Sequence, residues 1–481
     1  MPIKLNQPLE ARNPDADELA LLNDLQGNIL KGHGREHTTN LFVRFDKTQA
    51  AAAKVWIKAL AAKVTSSSAQ FAMTAKRKAA LKKGKGKKDK APQSPPAVFF
   101  FLTSTGYDAL GVAANRRPKD GAFTSGQKAS QGLLNDPLPS KWDAPFSKDI
   151  HAMILVGGED VAQVNKERTA ILASLPAAVS HVGEERGRAW KNENGDGIEH
   201  FGYVDGRSQP LLLVQDVENE QNSQDGISVW DPAFPLEQVL VADPAGQDKR
   251  SFGSYFVFRK LEQNVKGFKE REEEIAKELK LPEEDAERVG AMLVGRFEDG
   301  TPVVLQSAEG MHNPVPNNFD YRDDPNALKC PFHSHIRKTN PRGESVRPGL
   351  APNLASERAH IMARRGITYG QRKVKTVGAG VEFADKPTGG VGLIFMAYQS
   401  NIANQFEFTQ ATWANNLNFV NPGTGIDPVI GQGAKGGQSC PVKWGGDPAT
   451  AKFQKFDFRH FVTMKGGEYF FAPSISALKS L

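Results

Sequence analysis

Short apolar runs alternate with helix-like segments along this chain, and they do so twice. In the first half, Leu41-Phe42-Val43-Arg44-Phe45, Val98-Phe99-Phe100-Phe101-Leu102 and Ala152-Met153-Ile154-Leu155-Val156 have the length and apolar content of buried strands. Residues 50–64, 106–114 and 161–175 have helical composition and spacing. In the second half, Ser254-Tyr255-Phe256-Val257-Phe258 reads as a strand, followed by helices over 265–279 and 282–294. The second of these opens on Pro-Glu-Glu-Asp, chemistry suited to a first turn. A buried strand over 391–398, a helix over 403–415 and strands over 461–464 and 468–471, around Gly466-Gly467, complete the pattern. Two successive strand–helix–strand–strand–helix–strand units account for this order, so the predicted fold class is α+β. The first unit is expected over 1–215 and the second over 216–481; a chain of 481 residues is long enough to give both a core.

A basic tract interrupts the first unit. Between Lys76 and Lys90 stand eight lysines and one arginine against Asp89 alone, a net of +8. The whole chain carries +6, so the remainder carries −2 and offers no basic surface for nucleic acid. The low-complexity stretch 74–96 is predicted to be a flexible insertion. No apolar run approaches the length of a membrane helix. Residues 1–17 are polar, with no apolar targeting core and no twin arginine, which reads as a cytoplasmic start. The tail Lys479-Ser480-Leu481 permutes a peroxisomal signal without matching it. Cys330 and Cys440 are the only cysteines, which excludes a disulfide framework and a cysteine-rich metal cluster. No Cys-x-x-Cys-His occurs, which excludes covalent c-type haem.

Three short stretches carry candidate chemistry. The first is Phe201-Gly202-Tyr203-Val204-Asp205-Gly206-Arg207-Ser208-Gln209-Pro210, in which turn-forming neighbours can fix one aspartate in a cavity wall. The second runs from Cys330 to Arg342 and holds His333 and His335. Two histidines at this spacing do not share a helix face, and no third ligand stands at metal spacing. The third is Ala363-Arg364-Arg365-Gly366-Ile367-Thr368-Tyr369-Gly370, where one arginine could be buried beside a cofactor. Taken singly, these are more often an Asp-Gly turn, structural histidines and surface ion pairs.

In combination and order they resemble the dye-decolourising peroxidases. That family carries Gly-x-x-Asp-Gly followed by Ser-Gln-Pro, matched by Gly202, Asp205, Gly206 and Ser208-Gln209-Pro210. It carries Cys-Pro-Phe-x-x-His-Ile-Arg-x-x-Asn-Pro-Arg, matched from Cys330 to Arg342, and Arg-Arg-Gly-Ile-x-Tyr-Gly, matched from Arg364 to Gly370. The resemblance extends from Leu25-Gln26-Gly27-Asn28-Ile29-Leu30 to Gly466-Gly467-Glu468-Tyr469-Phe470-Phe471, nearly the whole chain. His333, where the family more often has a small residue, and the lysine tract depart from the pattern.

The resemblance implies two ferredoxin-like βαββαβ units forming a dimeric α+β barrel-like fold, with haem b held mainly by the second unit. It implies His335, which precedes Ile336-Arg337, as the iron ligand, Asp205 as the proton relay and Arg364 as the charge stabiliser. Leu393 and Phe395 would wall the distal side, and Arg337 would meet a haem propionate by charge complementarity. Glu407 and Asp457 are both candidates to orient the iron ligand. The implied reaction reduces hydrogen peroxide and oxidises dyes, phenolics or other small organic reductants. Bulky reductants would be reached by electron transfer through a tryptophan or tyrosine, with Trp56, Trp142, Trp190, Trp230, Trp413 and Trp444 available. A haem-processing, deferrochelatase-like role and non-catalytic haem binding are the alternatives, and a homodimer is compatible with the sequence.

Overall fold

The strands that dominate the second half of the chain are laid edge to edge with those of the first. The computed structural model describes residues 3–83 and 94–481. Its ten-stranded sheet comprises β1 (His37–Phe45), β2 (Ala97–Leu102), β3 (Ala152–Gly158), β4 (Val179–Arg188), β5 (Val241–Ala242), β6 (Phe252–Gln263), β7 (Ala363–Arg364), β8 (Ile367–Tyr369), β9 (Gly392–Gln399) and β10 (Val462–Ala472). The order is β8-β9-β6-β10-β2-β3-β1-β4, with β5 on β6 and β7 on β9, and neighbours pair antiparallel. Each half shows one order, second–third–first–fourth, the arrangement of a βαββαβ unit. The halves join where β10 meets β2, at Phe471 opposite Leu102. At the far ends β8 approaches β4, where the Thr368 hydroxyl donates to the Arg188 carbonyl and curls the sheet towards closure.

Alternation along each strand makes two faces. On the inner face, aromatic rings of both halves meet across the interior: Phe42 and Phe258 lie 5.4 Å apart edge to face, Phe101 and Phe256 4.5 Å apart. All four are fully buried, each contributing about 1.5–3 kcal/mol of hydrophobic stabilisation. On the outer face of the first half, Leu41, Val43 and Ile154 pack against helix α1 (Ala50–Ala61). This helix buries Ala53, Trp56, Ile57, Leu60 and Ala61, a stripe at helical spacing. The outer face of the second half carries the cavity described below.

Three expectations are corrected. Helix α2 (Ser67–Lys83) runs into the stretch expected to be a flexible insertion over 74–96. From Ala75 to Lys83 it consists of alanine, lysine, arginine and leucine, strong helix formers, with no glycine or proline until Gly84. Residues 84–93 lie outside the described residues. The boundary expected at 215/216 falls inside helix α3 (Val214–Gln221), whose first backbone N–H donates to Leu9 at 3.0 Å. The two units share one sheet and one inner core rather than meeting at a linker. The strands expected over 461–464 and 468–471 are the single strand β10, bulged between Met464 and Gly466. Gly466, at φ +148°, leaves the space into which the Phe146 ring packs; a Cβ there would stand 2.1 Å from that ring. The helix expected over 403–415 is present, wound as π-turns over Ala403–Glu407 and Thr409–Ala414. Among the described residues no helix is long and apolar enough to cross a membrane.

Candidate active site

On the outer face of the second half, β6 and β9 place Arg259, Leu261 and Gln263 beside Leu393 and Phe395, in register Leu393 opposite Leu261 and Phe395 opposite Arg259. Their alternates Phe258, Ile394 and Met396 point into the inner core. Over this face lies a cavity lined also by Asp205, His335, Arg296, Arg342 and Arg364. Four of the sequence-predicted residues other than His335 thus come together with it in one enclosure: Asp205, Arg364, Leu393 and Phe395.

His335 opens the short helix α4 (His335–Thr339). Its Nδ1 lies 2.8 Å from Asp427 Oδ2. An ionised carboxylate only accepts, so Nδ1 carries the proton and Nε2 is left for the cavity. Asp427 is completely buried, and its Oδ1 accepts the backbone N–H groups of Val429 at 2.8 Å and Ile430 at 2.9 Å. Burial works against the Asp427 charge, but His335 and the two N–H groups outweigh it and hold the carboxyl below its ordinary range. Burial likewise lowers the basicity of His335, and Asp427 more than restores it. His333, by contrast, is buried away from the cavity, its Nε2 4.0 Å from the Cys440 sulfur and its ring edge-on to Phe456. Burial pushes its pKa down to about 3, the mark of a neutral core residue.

The opposite wall is built from two loops. Gly202 holds φ +105° with Glu298 against the position of a Cβ, and Gly206 holds φ +82°, conformations that side chains resist. The Glu199 carboxylate accepts the N–H groups of Phe201 at 2.8 Å and Tyr203 at 3.1 Å, and Asp205 N–H donates to the Gly197 carbonyl at 2.9 Å. Asp205 is thereby fixed at the loop tip, its Oδ1 accepting Gly206 N–H at 2.6 Å. Burial, reinforced by the Asp205 charge, pushes Glu199 up to about 7 against its three donors, Phe201, Tyr203 and the Gln263 side chain. The Gln209 side chain accepts the backbone N–H of Arg364 at 3.0 Å and so docks the aspartate loop on the arginine strand. Arg364 faces the cavity, whereas Arg365 turns away and donates to the carbonyls of Asn28 at 2.8 Å and Ile29 at 2.9 Å. Both Arg364 and Asp205 act electrostatically on His335 across the cavity, with opposite signs.

Three further guanidiniums line the cavity, of which Arg207 pairs with Glu220 and Asp225. Arg296 donates to the carbonyls of Gly300 and Pro316, and Arg342 to those of Asn317 and Phe319 and to Ser208 Oγ. Neither has a carboxylate partner among the described residues, and burial lowers them to about 9 and about 10. Buried cations without anions mark a place for an acidic ligand group. An imidazole with a free Nε2, an apolar floor and two unpaired guanidiniums fit a metal-bearing, planar dicarboxylate such as haem.

Arg337 does not take part. It is 1% exposed and lies outside the cavity lining. Its Nε and Nη2 donate to Glu344 at 2.5 and 2.6 Å, and its Nη1 to Asp324 at 2.8 Å. Two residues along a helix turn a side chain about 200° from its neighbour, so Arg337 points away from the side that His335 faces. The propionate role expected for it is therefore corrected. Arg337→Met leaves Asp324 and Glu344 buried without their cation, and is expected to lower stability by about 3–5 kcal/mol. A denaturant titration showing a loss below about 1 kcal/mol would contradict this.

Neither carboxylate considered as a partner for His335 reaches it. Glu407 accepts the Tyr469 hydroxyl at 2.9 Å, and Asp457 pairs with Arg459. Sequence reasoning missed Asp427, which stands before Pro428 in what reads as an ordinary turn. It also missed Arg296, Arg342 and Gln209. Five of the six tryptophans are at most 6% exposed, and Trp444 is partly exposed, its Nε1 donating to Val303.

Comparison with known proteins bears on this geometry. Residues 24–190 match the family model described as the DyP dimeric alpha+beta barrel domain. The multifunctional dye peroxidase DyP2 of Amycolatopsis sp. is 47% identical over 486 aligned residues, covering all of both chains. A dye-decolorizing peroxidase of Mycetinis scorodonius is 32% identical over 96% of this chain and 87% of its own. Among solved structures, a DyP-type peroxidase of Anabaena sp. superposes with a TM-score of 0.88 at 40% identity, over 98% of this chain and 96% of its own.

Proposed function

The chain belongs to the dye-decolourising peroxidases and is a haem-dependent peroxidase, and from that premise we propose that His335 ligates the iron of haem b while Asp205 and Arg364 handle the peroxide. The observation that carries this reading is the buried His335–Asp427 pair, which offers a free imidazole nitrogen to the same cavity that Asp205 and Arg364 line.

Haem supplies the redox chemistry, taking oxidising equivalents from peroxide and passing them to a reductant. The protein residues divide the remaining work. His335 holds the iron, and Asp427 fixes its tautomer and orientation and raises its basicity. Arg296 and Arg342 receive the carboxylates of the cofactor, the role that Arg337 cannot fill. Asp205 takes a proton from one oxygen of hydrogen peroxide and delivers it to the other, which leaves as water. Arg364 stabilises the negative charge that builds on the oxygens meanwhile. Leu393 and Phe395 keep the site apolar and limit water. The reductants are small organic molecules or dyes. The haem-processing and storage readings draw no support from the relatives.

The test is an absorption spectrum of the purified protein, before and after one equivalent of hydrogen peroxide. The expected result is a haem band that shifts on peroxide addition and returns when a phenolic reductant or dye is added. A protein that binds haem yet shows no spectral change with peroxide would contradict the proposed roles of Asp205 and Arg364.

A further inference from the structure

Behind the iron-facing histidine lies a buried cation that the peroxide chemistry does not use. Lys338 sits on the same helix as His335 and is completely buried. Its Nζ donates to three backbone carbonyls: Trp413 at 3.1 Å, Asn416 at 2.6 Å and Gly425 at 2.7 Å. Among the described residues it has no carboxylate within ion-pair distance. A neutral amine has two N–H groups and a lone pair, whereas three carbonyl acceptors need three N–H groups. The donor count therefore calls for the ammonium form.

The three carbonyls are not arbitrary. Gly425 stands two residues before Asp427. Trp413 and Asn416 flank Ala414, whose carbonyl accepts the Asp427 N–H at 2.8 Å. Lys338 thus clips the segment that carries Asp427 to the helix that carries His335, so both ends of the His335–Asp427 hydrogen bond are tied to one side chain. Burial pushes the lysine down to about 7, and the charge that opposes this is that of Asp427. The two groups therefore interact through a low-dielectric interior, where charges act over longer distances than in water.

We propose that Lys338 is a positioning residue whose buried positive charge offsets Asp427 and raises the reduction potential of the iron bound at His335. An uncompensated Asp427 would draw the Nδ1 proton more strongly and make His335 a stronger donor, favouring ferric over ferrous iron. A nearby cation acts in the opposite direction on both counts: it weakens the pull of Asp427, and it disfavours the extra positive charge of ferric iron. The inference rests on His335 as the ligand.

The experiment is a spectroelectrochemical titration of the ferric/ferrous couple in the holoenzyme. It compares wild type with Lys338→Met, which keeps the length and loses both charge and hydrogen bonds, and with Lys338→Gln, which keeps two donors and loses the charge. Haem content, measured first, tests the ligand assignment separately, because that assignment fails only if His335→Ala retains haem. Both lysine variants are expected to hold haem and to have midpoint potentials below wild type. A wild-type potential in Lys338→Gln, or an upward shift in either variant, overturns the proposal. Failure of both to fold with haem would make Lys338 a strut alone and would overturn it equally.

Discussion

His335→Ala is expected to yield a folded protein without a haem band and without peroxide turnover, while His333→Ala keeps both. The imidazole of His335 borders the cavity and is held by Asp427 at 2.8 Å, whereas that of His333 is buried beside Cys440 and Phe456. Partners that merely orient a metal ligand are worth about 10–100-fold in affinity or activity. Asp427→Asn should fall in that range, and removal of the ligand itself should exceed it. His333→Ala leaves a hole in the core and costs stability, which a thermal melt will show, yet the cofactor stays. The measurement is haem content after reconstitution, read by absorbance and by bound iron. If His333→Ala loses haem and His335→Ala keeps it, the ligand assignment is wrong.

The second large effect is expected on the opposite wall. Cleaving the peroxide bond needs a proton moved and a charge stabilised together. Asp205→Asn keeps the shape of the side chain and its contact with Gly206 but removes the base. Arg364→Leu removes the fixed charge and leaves the base. A positioned base contributes about 10²–10⁴-fold, and a preorganised charge donor on the order of 10²–10³-fold. Both variants should bind haem fully, since neither residue touches the His335–Asp427 pair. The rate at which the haem band responds to peroxide should fall by those factors in stopped-flow mixing. Wild-type rates in both single variants and in the double variant, at full haem occupancy, would mean that another group moves the proton.

Much of the fold could be read from periodicity because its strands are short, apolar and buried, as at 98–102 and 152–156. The doubled order of units followed from these runs. What periodicity could not supply was continuity: Gly466-Gly467 looks like a break, but one strand passes through it because Phe146 fills the space a side chain would take. Composition misjudged residues 74–83, where lysine suggested a loop although alanine and lysine together favour a helix. In the site, Asp205, His335 and Arg364 stood out only through the family motifs that hold them. Asp427 lies 92 residues from its partner, and nothing local distinguishes it from any aspartate at a turn. Arg337 illustrates the opposite error. Closeness in sequence to His335 suggested a shared ligand, but helical rotation sends it into a network with Asp324 and Glu344.

Strand β10 follows every other strand of the sheet in chain order, yet it lies between β6 and β2 and is the strand that joins the two halves. Chains emerge from the ribosome N-terminus first, and their early units fold as they appear. The first half can therefore take up its own strand order during synthesis, but the inner core that spans both halves must wait for residues 462–472. So must the cavity, because Val462 at the start of this strand lines it. A nascent chain holds His335, Asp427, Asp205 and Arg364 well before it holds a closed pocket. Enclosure of a cofactor then waits for β10, and a chain cut short before that strand carries His335 without a closed pocket around it.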